Sequence, residues 1–235
     1  MSATENLQAV LTEIEHARLK RAVARDEEII LVSVTKNHGV ELMREAVDAG
    51  AKHIGENRVQ EAEQKFQTLN RNVIRHLIGH LQSNKVKQAV RLFDLIQSVD
   101  SIHLAAAIDK AAAQLEKVQD ILIQVNLARE SQKSGVELEN LKPLVGSVEE
   151  SKNLRLRGLM MIAPNFQNVE DCRPLFRQMR QIFDQLKSSR KDFDFLSMGM
   201  SGDYKIAIEE GANVVRLGTA IFGERSSQNG NNRQI

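Results

Sequence analysis

Ile29-Ile30-Leu31-Val32-Ser33-Val34-Thr35-Lys36 is an almost unbroken apolar run, rich in β-branched residues, that ends on a lysine. Asn37-His38-Gly39 interrupts it before a helical pattern begins. Such a run reads as a strand buried on both faces, the signature of a parallel sheet. Lys36 then stands at the carboxyl end of that strand, where α/β folds collect their active sites. A desolvated amine there is suited to forming a Schiff base with an aldehyde. Position alone favours the plainer reading, a solvated lysine that opens a loop.

The same punctuation recurs along the chain. Before the run, Leu7, Val10, Leu11, Ile14 and Ala17 repeat with a helical period and predict an opening helix over residues 6–24. After it, strands are predicted at residues 51–55, 73–78, 95–99, 121–125, 154–160, 193–196 and 213–217, each followed by a helix or a helical turn. Gly50 and Gly211 stop helices, and Asp100 or Ser101 caps one. Eight strands alternating with helices predict a parallel sheet, and a closed (β/α)₈ TIM barrel fits both count and length. A doubly wound open sheet is the alternative. No G-x-G-x-x-G follows the first strand, which weakens its dinucleotide-binding version. One barrel domain over residues 1–225, with the extra helix at its start, and a disordered polar tail over 226–235 is the expected organisation.

Composition narrows the function. A net charge of +1 gives no basic excess for nucleic acid or anionic membrane. No apolar run reaches transmembrane length and no signal-peptide pattern opens the chain, so a cytoplasmic protein is expected. The lone cysteine, Cys172, excludes an intramolecular disulfide and any multi-cysteine metal site, and it reads as an inert helix residue.

In a barrel all strand-to-helix loops share one face. Lys36, Asn57, His80, Gln82, Asn84, Lys85, Lys133, Met198, Ser201, Arg216, Gly218 and Thr219 would surround that mouth. Ser197-Met198-Gly199-Met200-Ser201-Gly202 and Gly218-Thr219 are short turns after the last two strands. Loops in those places form the usual barrel phosphate site, although each could be only a capping turn with Ser201 as N-cap. Arg216 is the odd residue in its strand and needs an acceptor, either a carboxylate or a ligand heteroatom. A lysine facing a phosphate cup suggests pyridoxal 5′-phosphate (PLP), which brings an aldehyde, a phosphate and a ring nitrogen.

Ser33-Val34-Thr35-Lys36, Gly55-Glu56-Asn57-Arg58-Val59-Gln60-Glu61, Ile78-Gly79-His80-Leu81-Gln82-Ser83-Asn84-Lys85, Lys133-Ser134-Gly135, Arg157-Gly158-Leu159-Met160, Leu196-Ser197-Met198-Gly199-Met200-Ser201 and Val215-Arg216-Leu217-Gly218-Thr219-Ala220-Ile221-Phe222-Gly223 follow one another in order. Together they resemble the pyridoxal phosphate homeostasis protein family (YggS/PROSC/PLPBP), and Gly-Asp-Tyr and Gly-Glu-Arg-Ser resemble its cyanobacterial PipY branch. The resemblance implies a barrel like the N-terminal domain of alanine racemase (fold type III). It makes Lys36 the lysine of an internal aldimine with PLP, with Ser201, Gly218 and Thr219 on the phosphate. Arg216 would face the pyridine nitrogen, and Asn57 and Met198 would lie beside the ring. His80, Val34 and Arg58 stand at variable positions, and His80 receives no catalytic role.

A guanidinium keeps its proton, so Arg216 would leave the ring a poor electron sink. In alanine-racemase-like enzymes the second base is a tyrosine supplied with an additional C-terminal domain, whereas the only tyrosine here is Tyr204. The expectation is a monomeric PLP carrier in PLP homeostasis, affecting amino-acid and keto-acid balance, with no catalytic residue and no metal, and with PLP-dependent apo-enzymes as recipients. A small PLP-dependent amino-acid racemase is the alternative. A cofactor-free Schiff-base aldolase is a third reading, weakened because aldolase lysines usually lie on later barrel strands.

Overall fold

Hydrophobic side chains on both faces of each strand need two cores, one inside a closed sheet and one beneath a shell of helices. The computed structural model, described for residues 2–23, 27–128, 130 and 134–223, has both. β1 (Ile30–Val34), β2 (His53–Glu56), β3 (Ile74–Leu77), β4 (Leu95–Val99), β5 (Gln119–Val125), β6 (Leu154–Met161), β7 (Phe195–Ser197) and β8 (Val214–Leu217) form a closed barrel in chain order. All neighbours pair in parallel, and β8 closes on β1 with Ser33 opposite Leu217. The open-sheet alternative is thereby excluded.

Outside the strands lie α2 (Val40–Asp48), α3 (Val59–Leu69), α4 (Val86–Leu92), α5 (Ile102–Gln114), α6 (Leu138–Glu149), α7 (Arg173–Lys187), α8 (Tyr204–Glu209) and α9 (Thr219–Phe222). The additional helix, α1 (Ala3–Leu19), starts in a capping box. Ser2 Oγ accepts from the Glu5 amide, and Glu5 Oε2 accepts from the Ser2 amide. Leu7, Val10, Ile14 and Ala17 form its buried face. The Asn6 side-chain amide donates to the Ile221 carbonyl at 2.9 Å, which ties α1 to α9 beside the last strand.

Predicted ends differ from observed ones by a few residues. The opening helix stops at Leu19, and the strand expected from residue 193 starts at Phe195. The helix expected over 169–186 begins as a 3₁₀ turn, Val169–Cys172, because Pro174 sits in the first turn of α7 and supplies no amide proton. The tail over 226–235 and Lys133 lie outside the described residues.

The barrel interior divides by chemistry. Leu95, Leu122 and Met160 pack together, with Ile162 and Phe195 against them. The remaining space holds His53, His76, Gln97, Ser197 and Arg216, an unusually polar filling for a fold whose interior favours branched apolar side chains.

Candidate functional site

Period-two alternation places Lys36 on the side of β1 shared by Val32 and Val34, beyond the end of the strand. Val34 is also what the cup at the neighbouring strand rests on. A Cβ on Gly218 would lie 3.3 Å from the Val34 carbonyl oxygen, so the turn after β8 sits close against the end of β1. The turn that carries Gly218 and Thr219 therefore adjoins Val34, two residues before Lys36, across the barrel's closing seam.

Ser201 connects the two phosphate-cup turns. Its Oγ accepts from the Gly218 amide at 3.3 Å and the Ala220 amide at 3.2 Å. The hydroxyl proton itself is given to no acceptor among the described residues. Both amides belong to the turn after β8 and here point at Ser201 Oγ; an oxyanion seated between the turns would take over those donors together with the Ser201 O–H. Thr219 is exposed at the start of α9, and Met198 is fully buried, with its amide donating to the Val214 carbonyl.

Arg216 is buried, 4% exposed, and makes no ion pair among the described residues. Its Nη1 donates to Ser197 Oγ at 2.6 Å and its Nη2 to the Met161 carbonyl at 2.8 Å. Neither expected acceptor class, carboxylate or ligand atom, accounts for these two bonds; neutral oxygens do. Burial pushes its pKa down to about 10, against the opposing pull of Asp203, so the guanidinium is still charged at neutral pH. Two of its five N–H groups are engaged, which leaves donors for a further acceptor.

Behind Arg216 runs a chain of side chains across the barrel. Ser197 Oγ donates to Gln97 Oε1 at 2.6 Å, so the Gln97 amide nitrogen faces His76 Nδ1, 2.9 Å away. An amide nitrogen can only donate, so His76 Nδ1 accepts and its proton resides on Nε2. That proton goes to His53 Nδ1 at 2.9 Å, near the opposite end of the barrel. Gln97, His76 and His53 were not singled out from the sequence; the available signal is their place as polar residues at inward parity in otherwise apolar strands.

The chain predicts an acid sensitivity. Burial holds the His76 pKa down from 6.5 to about 3, and burial also lowers that of half-buried His53. The unfolded chain takes protons below 6.5 that native His76 refuses, so its contribution is complete above pH 6.5 and is lost as pH falls toward 3. The loss is about 1.4 kcal/mol per pH unit. Thermal unfolding of His76→Gln should therefore show a shallower fall of Tm between pH 6.5 and 4.5 than wild type; equal slopes would contradict the assignment.

Asn57 stands past the end of β2. A Cβ on Gly79 would come within 2.4 Å of the Asn57 carbonyl oxygen, so the turn after β3 must be glycine to press against it. Asn57 Oδ1 is buried with no hydrogen-bond partner among the described residues, an unsatisfied acceptor beside the mouth. His80 is exposed and meets Ser134 Oγ at 3.3 Å, while Gln82 and Asn84 face solvent. Cys172 is buried, and burial together with Asp203 and Asp171 pushes its thiol up to about 11, so it is no thiolate at neutral pH. No cluster of His, Cys, Asp and Glu among the described residues could hold a metal, and no described helix is long and apolar enough to cross a membrane.

A model of the alanine racemase N-terminal domain matches residues 6–226. The pyridoxal phosphate homeostasis protein of Aquifex aeolicus (strain VF5) is 44% identical over 227 residues, which is 96% of this chain and 99% of that one. The chain belongs to the pyridoxal phosphate homeostasis protein family. Within solved structures, PipY of Synechococcus elongatus PCC7942 without PLP is 35% identical with a TM-score of 0.85, and the PLP-bound form 34% identical with 0.82. Each covers 94% of this chain and 100% of PipY. An alanine racemase of Clostridium difficile 630 aligns at a TM-score of 0.72 with 15% identity, over 95% of this chain and 57% of that one, and shows the shared barrel alone.

Arg216 lies on β8, and Ser201, Gly218 and Lys36, which the resemblance also nominated, lie past the ends of β7, β8 and β1, three consecutive strands of the closed sheet. The donor set fits PLP: an amine at a strand end, a cup of hydroxyl and amide protons, and a charged guanidinium between them.

Proposed function

We propose that this protein holds PLP through a Schiff base on Lys36 and acts in cytoplasmic PLP homeostasis as a carrier, without dedicated catalysis. The observation that carries this reading is the convergence of Ser201 Oγ with the Gly218 and Ala220 amides, beside a strand-end lysine on the adjoining strand. When bound, PLP would supply an electrophilic carbonyl carbon. The residues supply placement: Ser201, Gly218 and Thr219 receive the phosphate, Arg216 presents N–H groups to the ring nitrogen, and Asn57 and Met198 flank the ring.

The engagement of the one tyrosine, the residue type that serves as second base in racemases of this fold, supports carriage over turnover. Tyr204, the only tyrosine, donates its hydroxyl to Glu13 on α1, and burial raises its pKa further. It is engaged on the outer helical layer and gives no proton acceptor opposite Lys36. A charged arginine at the ring nitrogen also disfavours carbanion chemistry. Release to PLP-dependent apo-enzymes follows as the physiological role, by a single copy of the chain.

Titration of the wild type with PLP should give a visible Schiff-base band, absent from Lys36→Ala. No band in the wild type would overturn the reading, and D-amino acid formation abolished in Lys36→Ala would replace carriage with racemisation. Ser201→Ala separates the phosphate from the aldehyde. Losing one hydrogen bond to a charged group costs about 1.5–3 kcal/mol, roughly 10- to 100-fold in Kd. PLP affinity should fall by that amount, while binding of unphosphorylated pyridoxal stays unchanged; parallel loss of both would place the phosphate elsewhere.

A further inference from the structure

α3 carries an anomaly on its buried face. Val59, Ala62, Lys65, Phe66 and Leu69 are its buried residues, so a lysine lies on the apolar stripe that packs against the barrel wall. Its Nζ donates to three oxygens: the Thr35 carbonyl at 2.8 Å, Glu56 Oε1 at 2.8 Å and Glu61 Oε1 at 2.5 Å. Glu56 is fully buried at the end of β2, and its Oε1 also accepts from Thr35 Oγ1 at 2.6 Å. Glu61 Oε1 accepts in addition from the Asn37 amide at 2.6 Å.

These bonds bracket one residue. The carbonyl before Lys36 and the amide after it are both held by this cluster. The Thr35 carbonyl further accepts from the His38 amide at 3.0 Å, which closes a four-residue turn with Asn37 at φ 63° in its third position. Asparagine is among the few non-glycine residues that tolerate that conformation. Thr35 is directed outward to Glu56, and Lys36 takes the second position of the turn.

A buried ion cluster is an inefficient way to join a helix to a sheet. Two carboxylates share one ammonium, Glu56 Oε2 has no hydrogen-bond partner among the described residues, and burial raises the Glu56 pKa against the pull of Lys65 and Thr35. Apolar side chains of similar volume would hold α3 at least as firmly. What they would lack is the set of directed bonds to the main chain on either side of Lys36.

We propose that Lys65, Glu56 and Glu61 are positioning residues that fix the main chain around Lys36, and so set how readily its amine reaches an aldehyde carbon. This rests on the reading of Lys36 as the Schiff-base lysine. In that condensation the amine nitrogen attacks the carbonyl carbon, a C=N bond forms and water leaves, with no oxidant or reductant. The cluster touches none of these atoms, so its effect is confined to the covalent step. The phosphate donors and Arg216 come from β8 and from the turns after β7 and β8, and Asn57, next to Glu56, is packed against from the β3 side by Gly79.

The test compares PLP with pyridoxamine 5′-phosphate, which has the same ring and phosphate but no aldehyde. Lys65→Met removes the hub, and Glu61→Ala, at a side chain 21% exposed, removes the Asn37 bond without burying an unpaired charge. If Lys65→Met does not fold, Glu61→Ala carries the experiment. We expect at least a tenfold weaker Kd for PLP and slower growth of the visible band, with the Kd for pyridoxamine 5′-phosphate unchanged within twofold. Equal weakening for both ligands, or no change for either, would overturn the proposal and leave the cluster a purely structural tie. Failure of the underlying reading is told apart by the wild type alone, which would then show no band.

Discussion

Arg216→Met is expected to make the ligand-free protein more stable and the PLP complex weaker. Arg216 is 4% exposed, and its charge is met by a serine hydroxyl and a main-chain carbonyl rather than by a carboxylate ion pair. Desolvating a charge costs several kcal/mol, and neutral acceptors return only part of it. Methionine fills a similar length, and Ser197 can still donate to Gln97. The Met161 carbonyl and Ser197 Oγ each lose one donor. The expected net gain is about 1–2 kcal/mol, which for a chain of this size raises Tm by roughly 2–8 °C. Affinity for PLP should fall roughly 10- to 100-fold, the worth of a hydrogen bond from a charged donor. Thermal unfolding without ligand and a PLP titration measure both. A large drop in Tm would mean that the arginine is kept for the fold and not for a ligand. Arg216→Lys should lose affinity too, because a point charge cannot span both acceptors and still reach a third.

Gly158→Ala should be the most damaging single methyl in the barrel wall. At Gly158 the pairing of β5 with β6 skips Arg157, a β-bulge, and φ is 150°. A Cβ there would lie 1.9 Å from the Phe195 carbonyl oxygen and 2.7 Å from its carbon, both main-chain atoms of the neighbouring strand. Nothing flexible can yield, so β6 and β7 must part where they pair. Beside the bulge Arg157 meets Asp120 and Asp194 at 3.0 and 3.1 Å and lies over the Phe195 ring at 4.6 Å. The expected loss is about 4–5 kcal/mol, roughly 10–20 °C in Tm, with failure to fold as the extreme. Gly146→Ala is the matched control. Gly146 lies inside α6 with nothing within 4 Å of its would-be Cβ, so alanine there should stabilise by about 0.5–1 kcal/mol. Equal effects at the two sites would contradict the steric account.

Much of the architecture was legible from Ile29 to Lys36 onward, because parallel strands are continuous apolar runs and the helices between them carry a 3.6-residue period. Closure into a barrel was not legible, since it depends on β8 pairing with β1 across the whole chain. The four-residue α9 is too short to have a period of its own. At the candidate site, Arg216 was legible as the odd residue of its strand and Lys36 by its place at a strand end, while Ser201 and Gly218 stood in turns that caps alone would also explain. The partners of Arg216 were not, because Ser197 and the Met161 carbonyl carry no charge signal in a sequence. Lys65 could have been found: at helical spacing it occupies an apolar position of α3, an exception as clear as Arg216 in its strand.

One particular amine, that of Lys36, is proposed to hold the cofactor. Borohydride reduction of the PLP-loaded protein, followed by proteolysis and mass mapping, tests it most directly. The account predicts a stable phosphopyridoxyl adduct on the peptide containing Thr35-Lys36-Asn37, with the adduct absent from Lys36→Ala. An adduct found chiefly on any other lysine, or retained at wild-type level in Lys36→Ala, would contradict it.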